Sequence, residues 1–485
     1  RSLRPMNQQA AVALRVLPAD LDTPVAAALK LLASEPYSFV LESVEGGEAR
    51  GRYSFLGWAP DVLYQCKDGC VSQADLAQSD PDLPHFVPID APPLEALQAA
   101  IDAARLPGSV AKALPIPGLV GYLGYDMVRL VERLDAAKPS VTDMPDTLLM
   151  RPTLLAVFDS VKDDLTLIAI DWAGHGADLD DRLDAVVDAL SQEVSRQVVP
   201  LSGAKAPSLS VNVSREAFCK QVETAKAHIE AGDIFQVVLS RRFSMPFERD
   251  SFALYRSLRR LNPAPFLFHL KFGPHALIGS SPEILVRLRG GKVTLRPIAG
   301  TRPRGKTETE DLALEADLLA DAKERAEHLM LLDLGRNDVG RVAKANSIRV
   351  TQSFQIERYS HVMHIVSNVE GDLDEAKSTS EALLAGFPAG TVSGAPKVRA
   401  MQIIDDLERD GRGPYAGAVG YFGANGDMDS CIVLRTAILS HGMLHVQAGA
   451  GIVADSDPMA EALECEQKAE AILSAARQAL GTASG

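Results

Sequence analysis

The second half of the chain is broken into short strand-like runs that close on glycine turns, and this pattern limits the possible folds more than any other. Candidate strands lie at 234–245, 266–271, 276–279, 284–288, 293–298, 348–350, 361–369, 417–423, 430–438 and 443–448. Turns such as Arg289-Gly290-Gly291 and Asn425-Gly426-Asp427 suit antiparallel partners, because a parallel crossover needs about a dozen residues or more. Helical runs occur between the strands without regular βαβ spacing, which argues against a doubly wound sheet. The expected class is α+β: large, mainly antiparallel β-sheets packed as a sandwich with helices on the outside.

The first half fits the same plan. A helix is expected over 24–36, starting at Pro24. A strand follows from Tyr37 to Glu42, then a Gly46-Gly47 turn and a second strand over 52–56. Gly118 to Tyr125 reads as a strand whose glycines admit a close backbone neighbour. Strands at 154–158 and 165–170 precede a helix at 180–198. Between Val199 and Asn212 the composition shifts to Pro, Ser, Gly and Ala. The chain therefore divides into an N-terminal region 1–198, a linker 199–212 and a C-terminal region 213–485. Ser214 then opens a capped helix.

Bulk properties exclude several function classes. A net charge of −15 argues against a nucleic-acid surface, which needs clustered Lys and Arg. There is no apolar run of about 18 residues, so no membrane span is expected, and no signal peptide is read. Cys66, Cys70, Cys219, Cys431 and Cys465 are odd in number and contain no CxxC pair, which suits a reduced cytoplasm.

One motif misleads. Gly300-Thr301-Arg302-Pro303-Arg304-Gly305-Lys306-Thr307 matches the phosphate-binding P-loop pattern letter for letter. Three carboxylates follow at Glu308, Glu310 and Asp311, where a triphosphate would be repelled, and Pro303 removes a backbone donor. Nucleotide binding is not expected.

Other residues carry chemistry as a set. Glu324 and Glu327 are three apart in a helical run, so both carboxylates share one face. Glu461 and Glu464 repeat that spacing, with Lys468 one turn later. Such pairs usually decorate a solvated face, but together they can offer oxygen ligands to a hard cation. Arg435 reads as a cation in an apolar strand and needs a partner. His364 lies in a strand, and Gly390-Thr391-Val392-Ser393-Gly394 leads into a helix. Gly449-Ala450-Gly451 exposes backbone donors. Pro297-Ile298-Ala299-Gly300-Thr301 closes a strand and carries no nucleophile at its centre.

In this order these residues resemble the chorismate-utilising enzymes, densely over 214–478 and more weakly before. The resemblance assigns Glu324, Glu327, Glu461 and Glu464 to Mg²⁺. It assigns Tyr415, Arg435, Gly451 and Lys468 to the substrate carboxylates, and the backbone of Gly449 and Ala450 to the same grip. Thr391 and His364 would face the ring, and Glu283 would act at the departing C4 hydroxyl. The carboxylate motif Glu461-Ala462-Leu463-Glu464 is less acidic than the form common in the family.

Two positions select a branch. Water-using members have a base lysine where this chain has Gln236, which can only hydrogen-bond. The aminodeoxychorismate-forming branch, the alternative reading, has a covalent lysine where this chain has Ala299, between Ile298 and Gly300-Thr301. Ammonia needs neither lysine, so the resemblance implies the anthranilate-forming branch. No cysteine sits on a glycine-flanked elbow with a histidine partner, so a separate glutamine amidotransferase subunit is expected to supply ammonia. Leu41-Glu42-Ser43 and Pro265-Phe266-Leu267 resemble the family's tryptophan-sensing elements, although Phe266 and Leu267 depart from the usual loop. On that resemblance Glu42 would meet the amino group, Ser43 would hydrogen-bond it, and the Pro/Phe loop would pack the indole.

Overall fold

A computed structural model describes residues 10–45, 49–80, 83–107, 114–176, 178–194, 207–359 and 362–481. The Gly46-Gly47 turn and residues 199–206 of the linker lie outside the described residues.

The described strands form two 12-stranded sheets and one two-stranded ribbon. The first sheet runs Ala11–Pro18, Asp164–Asp171, Leu154–Asp159, Tyr53–Trp58, Tyr37–Glu42, Phe266–Phe272, His275–Ser281, Thr436–Ser440, Met443–Ile452, Gln236–Pro246 and Ser210–Val211, with Gly394–Ala395 also on Gln236–Pro246. The second runs Ile298–Pro303, Val362–Asp372, Lys292–Leu295, Ile284–Arg289, Met428–Ile432, Ala418–Gly423, Pro117–Leu123, Thr147–Arg151, Val62–Lys67, Cys70–Asp75 and Val87–Pro88, with Arg349–Arg358 also on Val362–Asp372. Neighbouring strands pair antiparallel, as the turn chemistry requires. In each sheet the strands before residue 199 form one contiguous block and the later strands the other, joined where Tyr37–Glu42 pairs with Phe266–Phe272 and Pro117–Leu123 pairs with Ala418–Gly423.

The fold follows from which face each strand buries. Phe39, Phe55, Phe268 and Phe272 of the first sheet meet Tyr122, Leu149 and Val419 of the second in the sandwich interior. On the outer face of the first sheet, Val40, Leu56, Leu267 and Ile278 pack against helices Pro24–Leu31, Ser251–Leu261 and Pro458–Leu480. Side chains that alternate between two covered faces make these strands apolar throughout, and each large side chain buried contributes about 1.5–3 kcal/mol. This is the α+β sandwich with outer helices that the turn pattern predicts.

Two expected strands are each divided. The run 430–438 is two strands: Met428–Ile432 belongs to the second sheet and Thr436–Ser440 to the first. The run 293–298 likewise splits into Lys292–Leu295 and Ile298–Pro303. The P-loop-like stretch starts as the strand Ile298–Pro303, paired to Val362–Asp372, and Thr307 caps a helix over Glu308–Ala320. Apolar and β-branched content identifies a strand but carries no record of where the chain changes sheet.

The changes of sheet matter most. The chain leaves the first sheet at Ser281 and enters the second at Ile284. It returns between Ile432 and Thr436. The two crossings bond to each other, Ile432 N–H donating to the Glu283 carbonyl (3.1 Å) and Ser280 N–H to the Arg435 carbonyl (3.1 Å). Glu283 and Arg435 are thereby set side by side in the gap.

Candidate active site

A cavity of about 510 Å³ opens at these crossings. Gln236, Glu283, Ala299, Gly300, Thr301, Glu324, Glu327, His364, Thr391, Tyr415, Arg435, Gly449, Gly451, Glu461, Glu464 and Lys468 all line it. The sequence scatters them over more than 200 positions, and the fold collects them from both sheets and from helices Ala322–Gly340 and Pro458–Leu480. Ala450 is the exception. Alternation along Met443–Ile452 turns its side chain into a core with Val237 and Leu239, leaving only its backbone on the cavity strand.

Glu283 is buried, and burial pushes its carboxyl up to about 7, against the opposing pull of Thr391 and Arg435. The Thr391 hydroxyl donates to Glu283 Oε2 at 3.2 Å. Thr391 lies in a short 3-10 turn, Gly390–Val392, so it acts through this hydroxyl; the long helix starts only at Lys397. Arg435 stands at the bend between strands with φ 47, a left-handed conformation that costs a non-glycine residue energy. Among the described residues no carboxylate comes within ion-pair distance of it, and desolvation lowers its pKa. A charge in this position is suited to a ligand carboxylate.

His364 Nδ1 lies 3.0 Å from the Gly300 carbonyl and 3.1 Å from Thr301 Oγ1. The carbonyl can only accept, so Nδ1 carries the proton and Nε2 keeps its lone pair. Burial lowers the pKa of His364 and keeps the ring neutral. Glycines at 449 and 451 let two side chains lie against the strand. A Cβ at 449 would sit 2.6 Å from the Tyr415 hydroxyl, and one at 451 would sit 2.6 Å from Gln236 Nε2. Gln236 Nε2 donates to Glu327 at 3.3 Å, while its Oε1 is buried without a partner among the described residues.

The four helix carboxylates gather at the cavity wall. Asp321 caps its helix by accepting from the Lys323 and Glu324 N–H groups, and Asp457 caps the other by accepting from Ala460 N–H. These caps place Glu324 and Glu461 in first turns. Burial raises Glu327, and the charge of Glu324 and then of Glu464 adds to the rise. Burial likewise raises Glu461. Lys468 pairs with Glu464 (2.7 Å) and donates to the Gly449 carbonyl (2.9 Å); Arg302 reaches Glu324 at 3.4 Å. Among the described residues no three His, Cys, Asp or Glu side chains form a ready-made metal cluster. The donor set still fits a hard divalent cation, because it is all carboxylate and the charges of Glu324 and Glu464 add to the rise of Glu327, and that of Glu464 to the rise of Glu461, a crowding that a cation relieves.

A chorismate binding enzyme family model matches residues 35–474. The chain belongs to the chorismate-binding enzyme family. Within it, the chain falls in the branch of anthranilate synthase component 1. The component 1 protein of Cereibacter sphaeroides is 52% identical over 473 residues, covering 96% of this chain and 94% of that protein. The Thermus thermophilus component 1 is 45% identical over 468 residues, covering 95% and 96%. The crystal structure of anthranilate synthase component I from Streptococcus pneumoniae superposes with a TM-score of 0.79 at 35% identity, over 95% of this chain and 99% of that one.

This family member has a second, larger cavity of about 1080 Å³ between the two sheets. Leu41, Glu42, Ser43, Pro265, Phe266 and Leu267 all border it, but strand alternation divides their side chains. Glu42 and Leu267 are cross-strand partners, and both side chains point to the outer, helix-covered face. There Arg259 Nε and Nη2 donate to the Glu42 carboxylate at 2.6 and 2.9 Å, and the Tyr255 hydroxyl donates to it at 2.5 Å. The expectation that Glu42 receives a ligand amino group is therefore corrected: its oxygens are committed to helix Ser251–Leu261.

Sequence reasoning missed several neighbours. Lys323 lines the active cavity beside the carboxylates; its place next to Glu324 was the available signal. Arg412, buried beneath Tyr415, holds Glu408 (2.7 Å) and caps the carbonyls of Val392 and Val238; no local pattern marks it.

Proposed function

We propose that the chain converts chorismate and ammonia to anthranilate and pyruvate. The observation that carries this reading is a cavity holding a carboxyl with a pKa near 7 and a neutral histidine, with Gln236 and Ala299 at the two positions where other branches need lysine. Arg435, Tyr415 and Lys468 hold the substrate carboxylates. Glu324, Glu327, Glu461 and Glu464 would hold Mg²⁺, which when bound neutralises the ring carboxylate.

Protonated Glu283 gives its proton to the C4 hydroxyl, which leaves as water. The lone pair of ammonia forms the bond at C2, both ring double bonds shift, to C1=C6 and C4=C5, as the C4–O bond breaks, and the new ammonium sheds a proton. Nε2 of His364 then takes the C2 hydrogen as the C3–O bond breaks. The ring becomes aromatic, and the released enolpyruvate takes up a proton to become pyruvate.

Ammonia comes from a separate glutamine amidotransferase subunit, in keeping with the component 1 names of the relatives. The five cysteines are free, which fits a reduced cytoplasm, and no helix among the described residues is long and apolar enough to cross a membrane. Tryptophan inhibits the enzyme from the larger cavity, as the Leu41-Glu42-Ser43 motif suggests.

The test is incubation of the purified chain with chorismate, Mg²⁺ and ammonium, with product mass as readout. Anthranilate and pyruvate are expected, with no activity on glutamine without the partner and none after chelation. A hydroxylated product, or an adduct bonded to the protein, would refute the reading.

A further inference from the structure

Behind the active cavity lies a buried ion pair that the reaction does not consume. The Arg412 and Glu408 side chains are 1% and 8% exposed. Arg412 Nε and Nη2 donate to the two Glu408 oxygens at 2.8 and 2.7 Å. The rest of the fork goes to backbone: Nη1 donates to the Val392 carbonyl and Nη2 to the Val238 carbonyl, each at 2.7 Å. Glu408 in turn accepts from the N–H and the hydroxyl of Ser240, at 2.9 and 2.7 Å. Burying two charges is a weak way to gain stability, because desolvation offsets most of their attraction. A planar fork with fixed donor directions does, however, set the distances between the segments it joins.

Those segments carry site residues. Val392 ends the Gly390–Val392 turn, and Thr391, the residue before it, has its hydroxyl on Glu283 Oε2. Val238 and Ser240 belong to Gln236–Pro246, the strand that begins with Gln236. Val238 N–H also donates to the Ser393 carbonyl at 2.9 Å, so the turn and the strand are tied beside the fork as well as through it. The guanidinium lies 4.8 Å from the centre of the Tyr125 ring and 5.5 Å from that of Tyr415. Tyr415 N–H donates to the Arg412 carbonyl at 3.2 Å.

We infer that Arg412 is a positioning residue: its guanidinium fixes the Gly390–Val392 turn against Gln236–Pro246, and so sets the Thr391 hydroxyl on Glu283 and the Tyr415 ring against the cavity, a role that rests on the general-acid reading of Glu283 given above.

This placement governs a pH dependence. Burial raises the Glu283 carboxyl, and the Thr391 hydrogen bond opposes that rise by favouring the charged form. A turn that loses its anchor withdraws the hydroxyl. The carboxyl then keeps its proton to higher pH, and the fall of kcat/KM moves upward. Arg435 and Lys468 also face Glu283, and Tyr359 feels its charge. Lys468 bonds to Glu464 and Gly449, Tyr359 to Glu357, and Arg435 has no ion pair among the described residues, so none of the three hangs from Arg412.

The experiment is the pH profile of kcat/KM for chorismate in Arg412→Lys, Thr391→Val and the double variant, on the full-length chain with Mg²⁺ at a fixed concentration of free ammonia. Lysine keeps the charge beside Glu408 but lacks the fork, so the field is retained and only the placement changes. The alkaline limb, near pH 7 in the wild-type chain, should rise by roughly one unit in Thr391→Val, the scale of one hydrogen bond to a charged group. It should rise similarly in Arg412→Lys and no further in the double variant. KM for chorismate should rise roughly 3- to 10-fold in Arg412→Lys, as one hydrogen bond from Tyr415 weakens. An arginine that only stabilises the fold would lower the active fraction at every pH and leave both the limb and KM in place. A limb unmoved in Arg412→Lys or in Thr391→Val, or shifts that add in the double variant, overturns the inference. Should Arg412→Lys not fold, Glu408→Gln/Arg412→Gln removes both buried charges together and is read by the same criteria. A limb that survives in Glu283→Gln refutes the general-acid reading itself and takes this inference with it.

Discussion

The two cavities share a wall yet treat charge in opposite ways. Pro282 and Ile298 border both. In the active cavity, Arg435 has no ion pair among the described residues, and burial raises the Glu283 carboxyl to about 7. In the larger cavity nearly every charge is used: Arg296 pairs with Glu357, Arg52 with Asp159, Arg358 with Asp311, and Arg287 and Arg289 with Asp429. Groups left uncompensated are held ready for a substrate. Paired groups instead line a cavity between two sheets without a free charge to offer.

That contrast can be broken most forcefully at Glu283. Glu283→Gln is expected to lower kcat roughly 10²- to 10⁴-fold, the usual scale for a general acid. The carboxyl must be protonated to donate, and it loses that proton as pH rises through about 7. In the wild-type chain kcat/KM should therefore fall above that pH, and in the Gln variant this limb should vanish. A high-pH limb that persists unchanged in Glu283→Gln would assign it to another group.

The next effect lies in the paired group of the other region. Arg259→Leu leaves the Glu42 carboxylate buried beside Tyr255 alone, which should cost about 3 kcal/mol of stability, read from the denaturant midpoint. A midpoint that does not move would show that Glu42 is free to turn towards the cavity.

Arg435→Gln should raise the KM for chorismate roughly 10- to 100-fold while changing kcat less, since one charge-assisted contact to a carboxylate is lost. An unaltered KM would mean that the open cation serves something other than substrate. The smallest effect belongs to the shared wall. Tyr359 donates to Glu357 at 2.9 Å and its ring lies 5.7 Å from that of His364. Tyr359→Phe should change kcat about 2- to 10-fold through the position of His364, with KM for chorismate unchanged. A change in KM alone would place Tyr359 against the substrate.

Much of this molecule was legible before the structure. Ser214 does cap its helix, accepting from Ala217 N–H, and the glycine turns do close antiparallel pairs. The i,i+3 glutamates do share helix faces that look into one cavity. What escaped were events spanning many residues. Arg435 was read inside one long strand, because Ile432-Val433-Leu434 is as apolar as any strand and nothing in it marks a change of sheet. Glu42 was read as a ligand contact, because its partner lies 217 positions away.

Local chemistry operates within a turn of helix or a pair of strand residues, so side-chain periodicity, caps and the absence of a lysine at 236 and 299 can be read from the chain as written. Which carboxylate ends up paired and which stays free depends on elements brought together from hundreds of residues apart. Two crossings between sheets left Glu283 and Arg435 facing a cavity, and one helix neutralised Glu42. No short-range rule encodes either result, because burial and partnership exist only once the layers have packed.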